Sequence, residues 1–140
     1  MAASLVQHVA KIRVSSVLNR DVKQFGKQYL TDGNDDTCWN SDQGSPQWIS
    51  VIFSKPVKIE KLQLQFQGGF VGKDCWIEAS VNKDEKLQKI QDIFLEDTNM
   101  LQTFNLQQVV ETSNMKIVFN TSTDLFGRVI VYKLEILGES

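Results

Sequence analysis

A chain of 140 residues with formal net charge −2 and pI about 5.4 has the size of one domain, and can bury about two thirds of its unfolded surface without disulfide or metal staples. Its 15 Lys and Arg are scattered, which leaves no basic footprint for nucleic acid or an anionic membrane. The start, Met-Ala-Ala-Ser-Leu-Val-Gln-His-Val-Ala-Lys, lacks the basic and long apolar regions of a secretory signal, and no later run could span a bilayer; an intracellular product, nuclear and/or cytoplasmic, is expected.

Cys38 and Cys75 form no CxxC pair and read as ordinary reduced thiols; the sequon Asn120-Thr121-Ser122 then has no consequence. Residues 1 to 11 read as a loose N-terminal arm ahead of a single domain over 12–140. Ile12 to Leu18 is mostly apolar until Ser15, Ser16 and Asn19 break the pattern, and Asn19 to Gln28 reads as a surface loop around Phe25-Gly26.

The stretch Leu30 to Val51 follows, and the chain is organised around it. It holds four Asp, two Asn, two Gly, Pro46, Trp39 and Trp48 between apolar flanks, the composition of a tight turn pinned by aromatic anchors. Crowded carboxylates without His favour a hard cation such as Ca²⁺ over zinc. An EF-hand is excluded, because counting from Asp32 its sixth and twelfth positions are Thr37 and Gln43 rather than Gly and Glu.

Gln47 to Phe53, bounded by Pro46 and Pro56, suits a strand with turns at both ends. Ile59, Leu62, Leu64 and Phe66 then face one way, with Lys61, Gln63 and Gln65 opposite. Gln67 to Lys73 is a Gly-rich loop with an apolar tip, and alternation resumes through Cys75, Ile77, Ala79 and Val81. Asn82 to Asn105 is hairpin or loop, with a short helix over Lys83 to Gln91 as the other reading and Phe104 to Leu106 extended. Met115, Ile117 and Phe119 mark a strand, Asp124 to Arg128 a turn with two exposed apolar residues. The last strand, Val129 to Leu137, places Ile130, Tyr132, Leu134 and Ile136 on one face. Six or more strands without a clear helix predict an all-β sandwich, and a jelly roll at this size.

Five pieces in order carry a family likeness: Asp32-Gly33-Asn34, Thr37-x-Trp39-x-Ser41, Gln47-Trp48-Ile49-x-Val51, Gln67-Gly68-Gly69 and Leu134-Glu135-Ile136-Leu137-Gly138. From about Val14 to Gly138 the chain resembles a discoidin domain, the coagulation factor 5/8 type C or galactose-binding-like family, an eight-stranded jelly-roll β-sandwich. Ser15 to Arg20, Cys38 to Gly44 and Phe126 to Val129 resemble the small intracellular side of that family. This implies a regulator that contacts an orphan nuclear receptor and represses its transcriptional activity. Secreted members usually tie their two ends with a disulfide, which Cys38 and Cys75 do not match.

The resemblance also implies site residues. Many members hold a structural Ca²⁺ in the matching turn, and Asp32, Asp35, Thr37 and Glu135 would be its ligands here. Otherwise Asp32 caps the turn and Glu135 pairs with Lys133 or Arg128. Trp39 and Trp48 are expected in the core. Phe25, Phe70 and Phe126 sit in polar or Gly-rich loops, and loops at one end of such a sandwich carry ligand contacts, so these three are candidate partner contacts. The competing reading is that each of the three rings folds back over the barrel mouth; for Phe126 that reading comes first, and for Phe25 and Phe70 the partner contact does. Lys73 flanks Phe70, and Arg128 could anchor an acidic partner or neutralise Asp124.

Catalysis finds no support: His8 is the sole histidine and no GxSxG, P-loop or Rossmann fingerprint occurs. Two binding classes stay open. One is an intracellular protein-interaction module, docking on a receptor or serving as a ciliary transport complex subunit. The other is a carbohydrate- or lipid-binding lectin-like domain; only Phe70 near Lys73 and Asn82 comes close to a sugar platform, and Phe25 with Lys23 and Lys27 is one membrane spike, too little alone.

Overall fold

The computed structural model describes residues 2–81 and 86–140. In chain order these form β1 (Ala3–Ser4), β2 (Val9–Val14), a short helix α1 (Val22–Phe25), β3 (Trp39–Asn40), β4 (Gln47–Phe66), β5 (Gly72–Ser80), β6 (Leu87–Ile93), β7 (Gln102–Ser122) and β8 (Ile130–Glu139). Single 3₁₀ turns lie at Val6–His8, Leu18–Arg20 and Lys27–Leu30.

The two long strands, β4 with 20 residues and β7 with 21, run through both layers of a sandwich. The first half of β4 lies between β2 and the second half of β7, with β5 and β6 beyond. The second half of β4 lies between β8 and the first half of β7, with β1 beyond β8. All these pairs are antiparallel. This is the jelly-roll β-sandwich that the alternation predicts, and Phe66 meets Phe119 edge-to-face inside it at 5.6 Å.

Bulges explain where the pattern misleads. Pro56 does not end a strand: β4 continues through it, and the register against β7 jumps between Ile52 and Val57, where Ser54, Lys55 and Pro56 are exposed. A residue without an N–H fits where the ladder is already interrupted. A second shift, between Ile59 and Lys61, lets Ile59 and Leu62 both point inward although three apart. A third, opposite Gln65 and Phe66, resets β8, so that Val129, Val131, Leu134 and Ile136 are buried while Tyr132 leaves the core face. Residues 87–91, the end of the alternative helix, are strand β6 paired with β5; Asn82 and the start of that segment lie outside the described residues.

The N-terminal arm is not loose. Ala3 and Ser4 pair with Gly138 and Leu137, and the Leu5 amide donates to the Ile136 carbonyl at 2.8 Å. Leu5 is 1% exposed, and burying such a side chain contributes about 1.5–3 kcal/mol, which offsets the ordering of the arm.

Trp39 is fully buried and donates its indole N–H to the Ser16 carbonyl at 2.9 Å. Trp48 is not core. Gln47, Ile49 and Val51 point inward, so the period of two turns Trp48 to the outer face, half-buried, with the Lys116 ammonium 4.6 Å from its ring centre. It stands opposite Val118, which stands opposite Trp76 in the next strand.

Candidate functional site

The loops at one end of the sandwich are tied edge to edge. Gln67 donates its amide to Ile130, and Ile130 to Phe70, which fixes the β4–β5 loop beside the start of β8. On one flank, the Gly68 and Gly69 amides donate to the side chains of Asn99 and Asp97 at 2.6 and 2.7 Å. On the other, Thr123 donates to the Val71 carbonyl, and the Gly44 amide to the Phe126 carbonyl at 2.8 Å. Residues 41–46, 122–128, 67–71 and 94–101 therefore form one continuous surface.

The 124–128 turn is built from its own sequence. Asp124 accepts the Gly127 amide on its carbonyl and the Arg128 amide on its carboxylate, while the Ser122 hydroxyl donates to the Arg128 carbonyl at 2.7 Å. Gly127 has φ +86°, and a Cβ there would meet the Gly44 backbone at 2.7 Å. Gln47, 4% exposed, sets the neighbouring loop: its amide group donates to the Gly44 and Asp42 carbonyls and accepts from the Ser15 and Ser16 hydroxyls. With both flanks fixed, the side chains at the tip project outward: Leu125 is 91% and Phe126 62% exposed. On the far flank Phe94 and Met100 are 85% and 72% exposed.

Of the residues singled out in the sequence, this end gathers Phe70, Phe126 and Arg128. Arg128 lies over the Phe70 ring at 5.1 Å and donates from Nη2 to the Asn40 side chain at 3.1 Å; its Nε is buried without a hydrogen-bond partner. The Phe70 platform is thus already covered by a guanidinium. Asp124 takes the Arg128 backbone N–H rather than the guanidinium. Lys73 is exposed and lines a groove of about 490 Å³ with Trp76, Lys89 and Phe94. Phe25 is half-buried in α1, and the exposed apolar side chain of that helix is Val22. Sequence reasoning passed over Phe94 and Met100. Their signal was an aromatic and a Met inside the polar run 92–100.

The four residues implied as cation ligands are divided. Asp32 accepts the Asn34 amide at 3.0 Å and the Thr37 hydroxyl at 2.6 Å, so both its oxygens and the Thr37 side chain are committed to closing the turn. Glu135 accepts the Ser4 hydroxyl at 2.7 Å and the Ile136 amide at 3.0 Å. Asp35 and Glu135 share a cavity of about 250 Å³ that Asp32 and Thr37 do not line. Among the described residues no three His, Cys, Asp or Glu are gathered to hold a metal ion. As placed, these four side chains do not converge as a Ca²⁺ ligand set, which takes six to eight oxygens around one point.

Burial pushes the Cys75 thiol up to about 12, an acceptor contact with the Asn120 backbone opposing and the Asp74 charge adding to it. Burial also raises Cys38, partly offset by the Asn40 amide, which donates to its sulfur at 3.1 Å. Neither is an activated nucleophile.

The family model for the F5/8 type C domain matches residues 11–130. The nuclear receptor 2C2-associated protein of Danio rerio is 54% identical over 139 residues, 99% of this chain and 98% of that protein; the one of Homo sapiens is 46% identical, covering 99% of each. Among solved structures, the family 32 carbohydrate-binding module of C. perfringens NanJ in complex with galactose superposes with TM-score 0.81 at 18% identity, over 98% of this chain and 99% of that one. A fucolectin from Morone saxatilis superposes with TM-score 0.78 at 11% identity, over 99% of this chain and 49% of that one. At such identities these likenesses concern the fold. The chain belongs to the F5/8 type C, or discoidin, family and is a relative of the nuclear receptor 2C2-associated proteins.

Proposed function

We propose that this protein is a non-catalytic interaction module that binds a nuclear receptor of the 2C2 kind directly, inside the cell, and represses its transcriptional activity by occupying a surface of the receptor. The observation that supports the reading is the set of large apolar side chains, Leu125, Phe126, Phe94 and Met100, exposed on loops that backbone and side-chain hydrogen bonds tie to one another. Such tips are what a partner buries, and ordering them beforehand lowers the entropic cost of binding. The kinship with proteins named as receptor-associated supports a nuclear receptor as the class of partner. No helix among the described residues is long and apolar enough to cross a membrane.

The test is a titration of purified nuclear receptor 2C2 with the protein and with a Leu125→Ser, Phe126→Ser variant. Loss of binding by at least tenfold with an unchanged melting temperature supports the reading. Equal affinity for the two proteins would remove this surface from it.

A further inference from the structure

The apolar tips stand on loops whose own charge is almost all negative, although Phe94 also shares its groove with Lys73 and Lys89, the latter paired with Asp92 at 2.6 Å. Of the chain's 17 carboxylates and 15 cations, seven and one fall within residues 31–46, 67–71, 94–101 and 122–128, leaving ten and fourteen for the rest. The single cation there, Arg128, is turned in over Phe70 and bonded to Asn40. Asp35 and Asp36 are exposed and share a cavity of about 320 Å³ with Asn99, which places the Asp32 turn on this same surface. Glu96 and Asp97 are exposed beside Phe94 and Met100, and Asp124 is half-buried beside Leu125. None of the carboxylates on these loops is paired with Lys or Arg in an ion pair among the described residues.

We infer that the partner surface which seats Leu125, Phe126, Phe94 and Met100 is basic: a protein face of Lys and Arg around apolar pockets. The inference rests on the proposed function for the choice of surface and adds the chemistry of what covers it. Four exposed apolar side chains provide the area to bury, and the carboxylates carried on the same and adjoining loops select the sign of the rim charge. A clustered field of this kind speeds encounter with a cationic surface and repels anionic ones. The same field disfavours an acidic lipid surface, although apolar loop tips alone would suit one.

The experiment compares the protein with an Asp35→Asn, Asp36→Asn, Glu96→Gln variant. None of these three side chains makes a hydrogen bond that the fold uses in the described contacts, and chelator is kept throughout. Affinity for purified nuclear receptor 2C2 is measured at about 50 mM and about 500 mM salt, where the screening length falls severalfold. The expected result is about tenfold weaker binding of the variant at low salt and a difference that nearly vanishes at high salt. Equal affinities at low salt, or tighter binding by the variant, overturn the inference.

Two further probes separate this inference from the reading beneath it. An amphipathic Leu–Lys peptide should shift the amide resonances of 94–101 and 122–128, and its Leu–Glu counterpart and phosphatidylserine vesicles should not. If the receptor fails to bind at all while the Leu–Lys peptide maps to these loops, the partner class falls and the basic surface stands. Mapping of the Leu–Lys peptide elsewhere, or binding of the Leu–Glu peptide or the vesicles, overturns it.

Discussion

Ser41 and Val129 hold each other by both ends: the Ser41 amide donates to the Val129 carbonyl, and the Val129 amide donates to the Ser41 hydroxyl, each at 2.9 Å. Ser41 is fully buried, so no water can replace it. Ser41→Ala should lower stability by about 1–3 kcal/mol in urea unfolding, because the Val129 N–H would be left without an acceptor. It should also loosen the adjoining 124–128 turn, read as faster amide exchange at Gly127 and Arg128.

The two tryptophans of the organising stretch should part company. Trp39→Ala removes a fully buried ring and its bond to Ser16, and should cost about 3–5 kcal/mol. Trp48→Ala strips a half-buried outer-face ring that Lys116 covers, and should cost about half of that or less. Equal losses in denaturant titrations would place Trp48 in the core after all.

Replacing Leu125 and Phe126 by Ser touches side chains that pack on little, so unfolding free energy should move by less than about 0.5 kcal/mol. A loss of several kcal/mol would mean that these side chains fold back over the barrel mouth in solution.

Calcium should leave the melting temperature of chelator-treated protein unchanged, because Asp32 and Thr37 satisfy each other and Glu135 is engaged by Ser4. A ligand at about a hundredfold its dissociation constant adds about 2.7 kcal/mol, so a bound ion would raise the melting temperature by several degrees. Such a rise would show that the Asp32 turn reopens toward the Asp35 and Glu135 cavity.

Cys75 gives the stability a pH dependence. Its folded pKa of about 12 lies above the value of 9.0 for a free thiol, so the folded state keeps a proton that the unfolded state loses between these limits. The contribution is complete below pH 9 and declines as pH rises toward 12. Cys75→Ala should flatten the part of the alkaline stability loss that falls in this window, measured by urea titrations at stepped pH. In the native protein at pH 8 a thiol reagent should modify Cys38 ahead of Cys75, since only Cys38 is partly accessible.

What the sequence determined by itself was the material of the fold. Period-two alternation from Leu62 to Phe66, in Cys75 to Ala79 and in Met115 to Phe119 identified a β-sandwich, because a side chain's face follows from its parity within a strand. The Asp-rich turn was legible for the same local reason: Asp32, Asn34 and Thr37 bond within five residues of one another. Parity is lost at a bulge, and the shifts at Pro56, Glu60 and Gln65 depend on which strand lies opposite. The arm, too, was decided at a distance, by β8 offering Ser4 and Leu5 a partner more than a hundred residues away. The candidate surface is of that second kind. Phe94, Met100, Leu125 and Phe126 look like isolated apolar residues in polar loops, and only the closing of the sandwich ties their acidic loops into one surface.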